Sequence, residues 1–326
     1  MQKSLAIIGA GRVGRAMGRL LREQGWKIGA VITCSEASAR RAVRFIGAGQ
    51  AHAAISRQIL ASRVILVTTP DDKVRDAAGE LARIGAEELR GKVVLHTSGA
   101  LDASALGSLR EHGAAVGSIH PMQSFSGVGT PPLEGKMFAM EGDAGAVRCA
   151  RQIVRALGGA PVQIEGAKKP IYHAAGAMAA GHVLAVMEAA TSLLTSIGMT
   201  RGMAARALLP LTRQVLENFE ALGARAAWTG PLSRGDYKVV ATHAAALQDF
   251  PVEIGEAYAA LNRLAGRVLA QDAEGMLAEV RIEVDAGSGR TTNTIVEELQ
   301  ATELLRTTGP NRLRRTGSSS IASLYS

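Results

Sequence analysis

The chain has 326 residues, 47% hydrophobic and 20% charged, which is apolar material for roughly two globular domains. Its two cysteines, Cys34 and Cys149, stand far apart, so a disulfide scaffold and a structural zinc site are excluded and a reducing, cytoplasmic compartment is expected. The formal net charge of +8 contains no Lys/Arg block interleaved with aromatics, which argues against nucleic-acid binding and suits small anionic ligands.

The first half alternates short β-branched runs with helical stretches. Strands are predicted over 4–9, 27–33, 63–69, 92–97 and 114–120, and helices over 12–24, 36–46, 73–83 and 102–110. A further unit follows, with a strand at 136–141, a helix over about 143–157 and a strand at 161–165. Such alternation implies βαβ crossovers and an α/β fold of Rossmann type, a doubly wound and mostly parallel sheet. After Gly166 the period changes to long Ala/Leu-rich helical stretches over 168–197, 200–222, 236–248 and 251–270. The organisation expected is a Rossmann NAD(P)-binding domain over 1–166 and an all-α substrate or dimerisation domain over 167–285. A polar, turn-rich tail over 286–326 is expected to be disordered. The uncharged run from Pro170 to Met187 carries two histidines and is weaker than a membrane span, so it is read as a buried helix with no membrane partner.

The segment "IIGAGRVGRAMGRLL" places Gly9, Gly11 and Gly14 in GxGxxG between a strand and a helix, with Arg12 and Val13 inside the motif. One glycine permits the turn, one lets backbone approach a pyrophosphate, and one lets helix pack on strand. The phosphates would sit on the positive end of the helix. At the end of the second strand stand Thr33, Cys34 and Ser35, then Arg40 and Arg41 on the next helix. Hydroxyls and guanidinium groups suit a 2′-phosphate, so Ser35 and Arg40 point to NADP, while Glu36 leaves NAD open. Thr69 and Pro70, at the end of the 63–69 strand, are placed against the nicotinamide ribose. Asp71 and Asp72 are read as caps of the following helix.

"HTSGAL" (96–101) and "SIHPMQSF" (118–125) both leave the carboxyl edge of the sheet, where ligands of open α/β sheets bind. His120 can move a proton near neutral pH, and Ser98, 22 residues earlier, can orient the same oxygen. Pro121 keeps the loop extended at His120. Lys169, Tyr172 and His173, at i, i+3 and i+4, share one helical face. His182, nine residues beyond His173, falls on the opposite side. In "TGPLSRGDYK" (229–238), Arg234 is a candidate clamp for a substrate carboxylate, and Asp236 is read as a helix cap. The seven histidines show no metal-ligand spacing, so no metal is expected.

"GAGRVG", "HTSGAL", "SIHPMQSF", "KPIYHAAG" and "GPLSRGD", in that order over roughly residues 3–285, resemble an uncharacterised bacterial family. Its members join a Rossmann-like NADP-binding domain to a C-terminal helical domain of unknown function. The wider relatives are pyrroline-5-carboxylate reductase, the β-hydroxyacid and 6-phosphogluconate dehydrogenases, and prephenate dehydrogenase. That resemblance implies a helical domain like the C-terminal one of 6-phosphogluconate dehydrogenase, and a homodimer. It makes Ser98 and His120 similar to the substrate-hydroxyl pair of prephenate dehydrogenase. It makes Lys169 and His173 comparable to a catalytic Lys and an amide four residues later in the β-hydroxyacid enzymes. His182 stands where the family pattern has Asn.

The function expected is an NADP-dependent oxidoreductase moving hydride to or from a small, carboxylated substrate at a C=O/C–OH or C=N centre. His120 serves as acid/base, Ser98, Lys169 and His173 assist it, and Tyr172 and Arg234 bind substrate. The competing reading is a non-catalytic NAD(P)-binding sensor that dimerises through its helical domain.

Overall fold

The structure is a computed structural model that describes residues 3–288; the tail expectation for 286–326 therefore lies outside the described residues, apart from a helix end at Ser288. The chain divides into two compact units between Val186 and Met187.

The first unit is built on eight strands: β1 (Ser4–Ile8), β2 (Lys27–Ile32), β3 (Gln50–His52), β4 (Val64–Val67), β5 (Val93–His96), β6 (Ala115–Pro121), β7 (Met137–Gly142) and β8 (Ala160–Gln163). Their order across the sheet is β3-β2-β1-β4-β5-β6-β7-β8. Every neighbouring pair is parallel except β6 and β7, which run antiparallel with His120 opposite Ala139 and Ser118 opposite Glu141. The helices α1 (Arg12–Glu23), α2 (Glu36–Ile46), α3 (Val74–Gly85), α4 (Gly107–Arg110) and α5 (Ala144–Ala156) cover both faces.

Coverage on both faces explains why β1, β4 and β5 are buried at every residue and read as unbroken apolar runs. The period-2 alternation sorts the core into two layers. Leu5 and Ile7 join Met17, Leu21, Ile46 and Ile153, whereas Ala6 and Ile8 join Ala78, Leu81 and Leu106 on the other face. Each large apolar side chain withdrawn from water in this way contributes about 1.5–3 kcal/mol.

Two segments differ from the sequence reading. β3 is a three-residue edge strand, too short to show alternation. The helix expected over 102–110 begins as a 3₁₀ turn, Ala103–Leu106, because the Asp102 carboxylate accepts the Ser104 N–H and starts the chain turning early.

A 3₁₀ turn at Gly166–Lys168 leads into α6 (Lys169–Ala177), a π-helical turn (Met178–His182) and α7 (Val183–Ser196). The helix starts at Lys169, with Lys168 at its cap and Pro170 in its first turn, where a missing N–H costs nothing. The buried helix expected here is not observed: only Lys169 and Thr191 are buried along α6 and α7, and Ile171 and Leu184 are exposed. The span Gly166–Ser196 is long and apolar enough to cross a membrane by length and composition, with mean hydropathy 1.4 and 6% of its window buried. Its apolar side chains face outward, so the chain itself does not bury them.

The second unit continues with α8 (Arg201–Leu222), α9 (Ala224–Ala227), α10 (Tyr237–Ala246), α11 (Val252–Leu269) and α12 (Ala273–Ser288). Thr200 caps α8 by accepting the Met203 N–H. A small core of Leu232, Val240 and Val280, with Trp228, Tyr237, Tyr258 and Met276 against it, holds the later helices together.

Candidate functional site

The glycine motif forms the turn from β1 into α1. Gly9 has φ +79°, and a Cβ there would lie 2.7 Å from the Thr69 backbone nitrogen. A Cβ at Gly14 would overlap the Thr68 hydroxyl and approach Ile7, so helix and strand pack at a distance only glycine allows. Gly11 differs: its open side meets nothing nearer than the Gly9 carbonyl at 3.7 Å. No side chain caps α1 at Gly11, so its first amides, at Arg12 and Val13, face outward with the positive end of the helix. Thr68 Oγ1 donates to the Gly9 carbonyl at 2.7 Å and fixes the turn from β4. Arg15 donates to the Gly127 carbonyl at 2.6 Å, tying the long β6–β7 connection to α1.

At the end of β2, Thr33 Oγ1 donates to the Ser35 carbonyl, and Ser35 caps α2 by accepting the Ser38 N–H. Arg41 donates to Ser38 Oγ at 2.8 Å, so Ser35, Ser38 and Arg41 form one hydroxyl–guanidinium cluster. Arg40 is instead held by Glu36 at 3.1 Å in an exposed i, i+4 pair. Ser38 went unread, although its spacing from Ser35 is that of an N-terminal cap.

At the end of β4, Thr69 lines the glycine turn and Pro70 precedes a short 3₁₀ turn. The cap expected at Asp71 or Asp72 is not formed. Asp71 accepts the Ser98 hydroxyl at 2.8 Å, and Asp72 lies 3.8 Å from Lys73 on the surface. A hydroxyl donor from the next strand end competes better for Asp71 than a local amide does, because its geometry is close to ideal. Ser98 Oγ also accepts from the Ala100 and Leu101 amides at 3.1 and 2.9 Å, so its hydroxyl is fully occupied in shaping the turn.

His120 ends β6. Its Nδ1 lies 2.9 Å from the Tyr172 hydroxyl, and its ring meets Tyr172 and His173 edge-on at 5.5 and 5.7 Å between centroids. Gly99 passes directly beneath: a Cβ there would stand 2.4 Å from His173 Cδ2 and 2.8 Å from His120 Nε2. Burial, followed by the positive charge of Lys169 and by His173, pushes His120 down to about 4, so the ring is neutral at physiological pH. Burial pushes the Tyr172 phenol up to about 12, while a backbone bond from Ala139 acts the other way. The Tyr172 hydroxyl also reaches the His120 carbonyl at 3.4 Å, so the phenol and Nδ1 are hydrogen-bond partners whose donor is set by the tautomer of the ring.

Lys169 lies below this pair, fully buried. It donates to the Ser98 carbonyl at 2.8 Å and to Ser118 Oγ at 2.7 Å. Ser118 in turn donates to Glu141 at 2.6 Å. Burial pulls Lys169 down to about 8 against the opposing attraction of Glu141, Asp102 and Asp71. His96, also buried, accepts the Ser98 N–H on Nδ1 and donates from Nε2 to the Asp102 carbonyl; burial, then Lys169, holds it near 4.

Ser98, His120, Lys169, Tyr172 and His173 are therefore brought together, and α6 carries the last three on one face. Asp71, Ser118, Glu141 and His96 belong to the same cluster and were not singled out in the sequence as site residues. Ser118 had a signal, since it lies two residues before His120 on the same strand face. His182 is exposed on the π turn. In the second unit Arg234 is exposed and bonds Asp236 at 3.0 Å; the Asp236 carboxylate takes this charged partner in place of the helix amide expected for it. An open cavity of about 640 Å³ in that unit is lined by Arg225, Trp228, Ser233, Tyr237, Met276 and Glu279, among others. Cys34 is exposed and Cys149 buried, both free. Among the described residues no group of three or more His, Cys, Asp or Glu is arranged to hold a metal ion.

Two family models match the chain: a Rossmann-like domain over residues 1–121 and a domain of unknown function (DUF2520) over residues 136–265. No curated protein matches it. Several solved structures share its fold. A Thermotoga maritima protein, TM1727, is 22% identical with TM-score 0.61, covering 86% of this chain and 98% of its own. A reductive aminase from Aspergillus terreus, in complex with NADPH and ethyl-5-oxohexanoate, is 18% identical with TM-score 0.60, covering 82% and 94%. An imine reductase from Myxococcus stipitatus, in complex with NADP+, is 20% identical with TM-score 0.59, covering 85% and 99%.

Proposed function

We propose that this Rossmann-like domain with its helical partner domain is an NADP-dependent oxidoreductase, moving hydride to or from a small, carboxylated substrate at a C=O/C–OH or C=N centre. The observation that carries the reading is that the glycine turn and the His120 cluster open on the same edge of one sheet, at the ends of β1, β4, β5 and β6. The similar folds bound to NADPH or NADP+ in a reductive aminase and an imine reductase support the cofactor and favour C=N among the centres.

The residues present fit that cofactor. Gly11 leaves open space where a pyrophosphate would approach, and the uncapped start of α1 at Arg12 and Val13 offers amides to it. Ser35, Ser38 and Arg41 would hold the 2′-phosphate, with Arg40 joining them once it leaves Glu36. Thr69 and Pro70 would border the nicotinamide ribose. The bound nicotinamide supplies or accepts the hydride.

His120 presents Nε2 to a substrate oxygen or nitrogen. Polarising that atom, and moving one proton at Nε2, are the steps assigned to it. Tyr172 holds Nδ1 on the far side of the ring, and His173 walls the same space. Arg234, in the glycine/proline turn of the second unit, is assigned to the substrate carboxylate. The exposed apolar residues Ile171, Leu184, Leu211, Leu216, Phe219 and Leu222 support a homodimer, since a monomer rarely leaves so many uncovered. The two free thiols suit a cytoplasmic setting.

Consumption of NADPH, screened against cyclic imines, 2-keto acids and hydroxy acids, tests the reading. Turnover with at least one class, with NADPH preferred over NADH, is expected. Tight NADPH binding without turnover on any class would favour the sensor, and a preference for NADH of more than about tenfold would overturn the cofactor assignment.

A further inference from the structure

Lys169 is fully buried, yet among the described residues no carboxylate bonds it directly. Its ammonium donates to the Ser98 carbonyl and to Ser118 Oγ, and through Ser118 it reaches Glu141. A buried ammonium with neutral first partners must be balanced from the second, which is the position Glu141 occupies. All four links are inside the fold: Lys169 and Ser118 are buried to within 1% of full enclosure, and Glu141 and Ser98 retain 7% exposure.

The chain of bonds joins four elements at one point. Lys169 comes from α6, Ser118 from β6, Glu141 from β7 and Ser98 from the turn after β5. The same helix face that lowers Lys169 into this layer raises Tyr172 and His173 against His120. The Ser98 carbonyl precedes Gly99, whose Cα lies so close under both imidazoles that not even a methyl group fits.

We propose that Glu141, Ser118 and Lys169 form one buried positioning unit that pins the Ser98–Gly99 turn beneath His120, so that Lys169 serves the reaction through that turn and through its charge without touching substrate. The inference rests on the reading of His120 as the acid/base group. It separates Lys169 from the role that its comparison with the β-hydroxyacid enzymes implies.

The charged and titratable groups that face His120 are Lys169 and His173 from α6, His96 from β5 and Asp71 from the end of β4; the phenol of Tyr172 completes the shell. Lys169, His173 and His96 oppose a proton on the ring, and Asp71 favours one. Removing the Lys169 charge therefore moves the His120 titration upward.

The test is an NMR titration of the His120 imidazole in the full-length protein, assigned with His120→Gln, in wild type, Lys169→Met, Ser118→Ala and the charge-balanced double variant Lys169→Met/Glu141→Gln. Thermal melting and NADPH binding are measured alongside. The double variant buries no lone charge, so it keeps the test open if Lys169→Met does not fold. Both Lys169 variants should raise the His120 midpoint by roughly half to one pH unit, with NADPH affinity within about threefold of wild type. Ser118→Ala, which keeps both charges and breaks the link, should move it less. Where a substrate is in hand, the variants should lower kcat about 10- to 100-fold with KM nearly unchanged, and shift the acid limb of the profile in the same direction. An unmoved His120 midpoint in the double variant overturns the proposal, as does a raised KM at constant kcat, which is the mark of a direct substrate contact. A midpoint that moves in a protein that turns over nothing leaves the positioning unit standing and removes the oxidoreductase reading instead.

Discussion

The glycine turn and the His120 cluster share one edge of the sheet but are made from different materials. The turn is built from backbone: its function lies in what glycine omits, and its parts stand within six residues, Gly9 to Gly14. The cluster is built from side chains that arrive from β4, β5, β6, β7 and α6, with bonded partners 51, 52 and 71 residues apart. The first carries one charged side chain, the exposed Arg12, whereas the second gathers the buried His96 and Lys169 with the half-buried His120. The difference teaches which kind of site a local pattern can reveal, and it predicts that the two will fail under different stresses.

Acid should separate them most. His96 and His120 are both held near 4 against an ordinary value of 6.5, chiefly by burial. The unfolded chain then binds more protons than the native one between these values. Their contribution is fully present above pH 6.5 and is lost as pH falls from 6.5 towards 4, by roughly 3 kcal/mol per histidine at the limit. Melting temperature against pH should fall through that window, and less steeply in His120→Gln. A flat profile from pH 7 to 4 would contradict a neutral His96 and His120.

Gly9→Ala attacks the other region. It adds a left-handed strain and a clash with Thr69 backbone, for a loss of roughly 2–5 kcal/mol and of NADPH binding. Isothermal titration with NADPH checks it; wild-type affinity would show that the turn does not carry the phosphates. Gly99→Ala should do the reverse. It pushes His120 and His173 apart, lowering turnover about 10- to 100-fold while NADPH affinity stays within about threefold. Should Gly99→Ala lose cofactor before turnover, the division between the two regions would collapse. The smallest effect is expected from Arg41→Ala, which should cut the preference for NADPH over NADH by about tenfold, read as the ratio of the two kcat/KM values.

The legibility of the chain follows the same division. Period and length placed the longer strands of the sheet; in β1, β4 and β5 the apolar run reports its own burial. The three-residue β3 carried no period to read. The glycine motif was legible because its turn, cradle and packing roles are local. At the cluster, helical spacing joined Lys169, Tyr172 and His173 correctly, and strand-end position joined Ser98 to His120. Asp71 was misread as a cap, since a sequence shows the amide two residues away and not the Ser98 hydroxyl 27 residues away. Asp236 was misread in the same way, with Arg234 the competing donor. Glu141 was invisible until the antiparallel pairing of β6 and β7 set it opposite Ser118. The run from Pro170 to Met187 was read as a buried helix because apolar composition implies burial without saying what supplies it.

The most direct measurement is NADPH turnover and NADPH affinity in wild type and His120→Ala, side by side, on the best substrate of the imine and keto-acid screen. A fall in turnover of about two to four decades with cofactor affinity nearly unchanged is predicted. Unchanged turnover, or loss of NADPH binding together with activity, would contradict the assignment of proton transfer to His120.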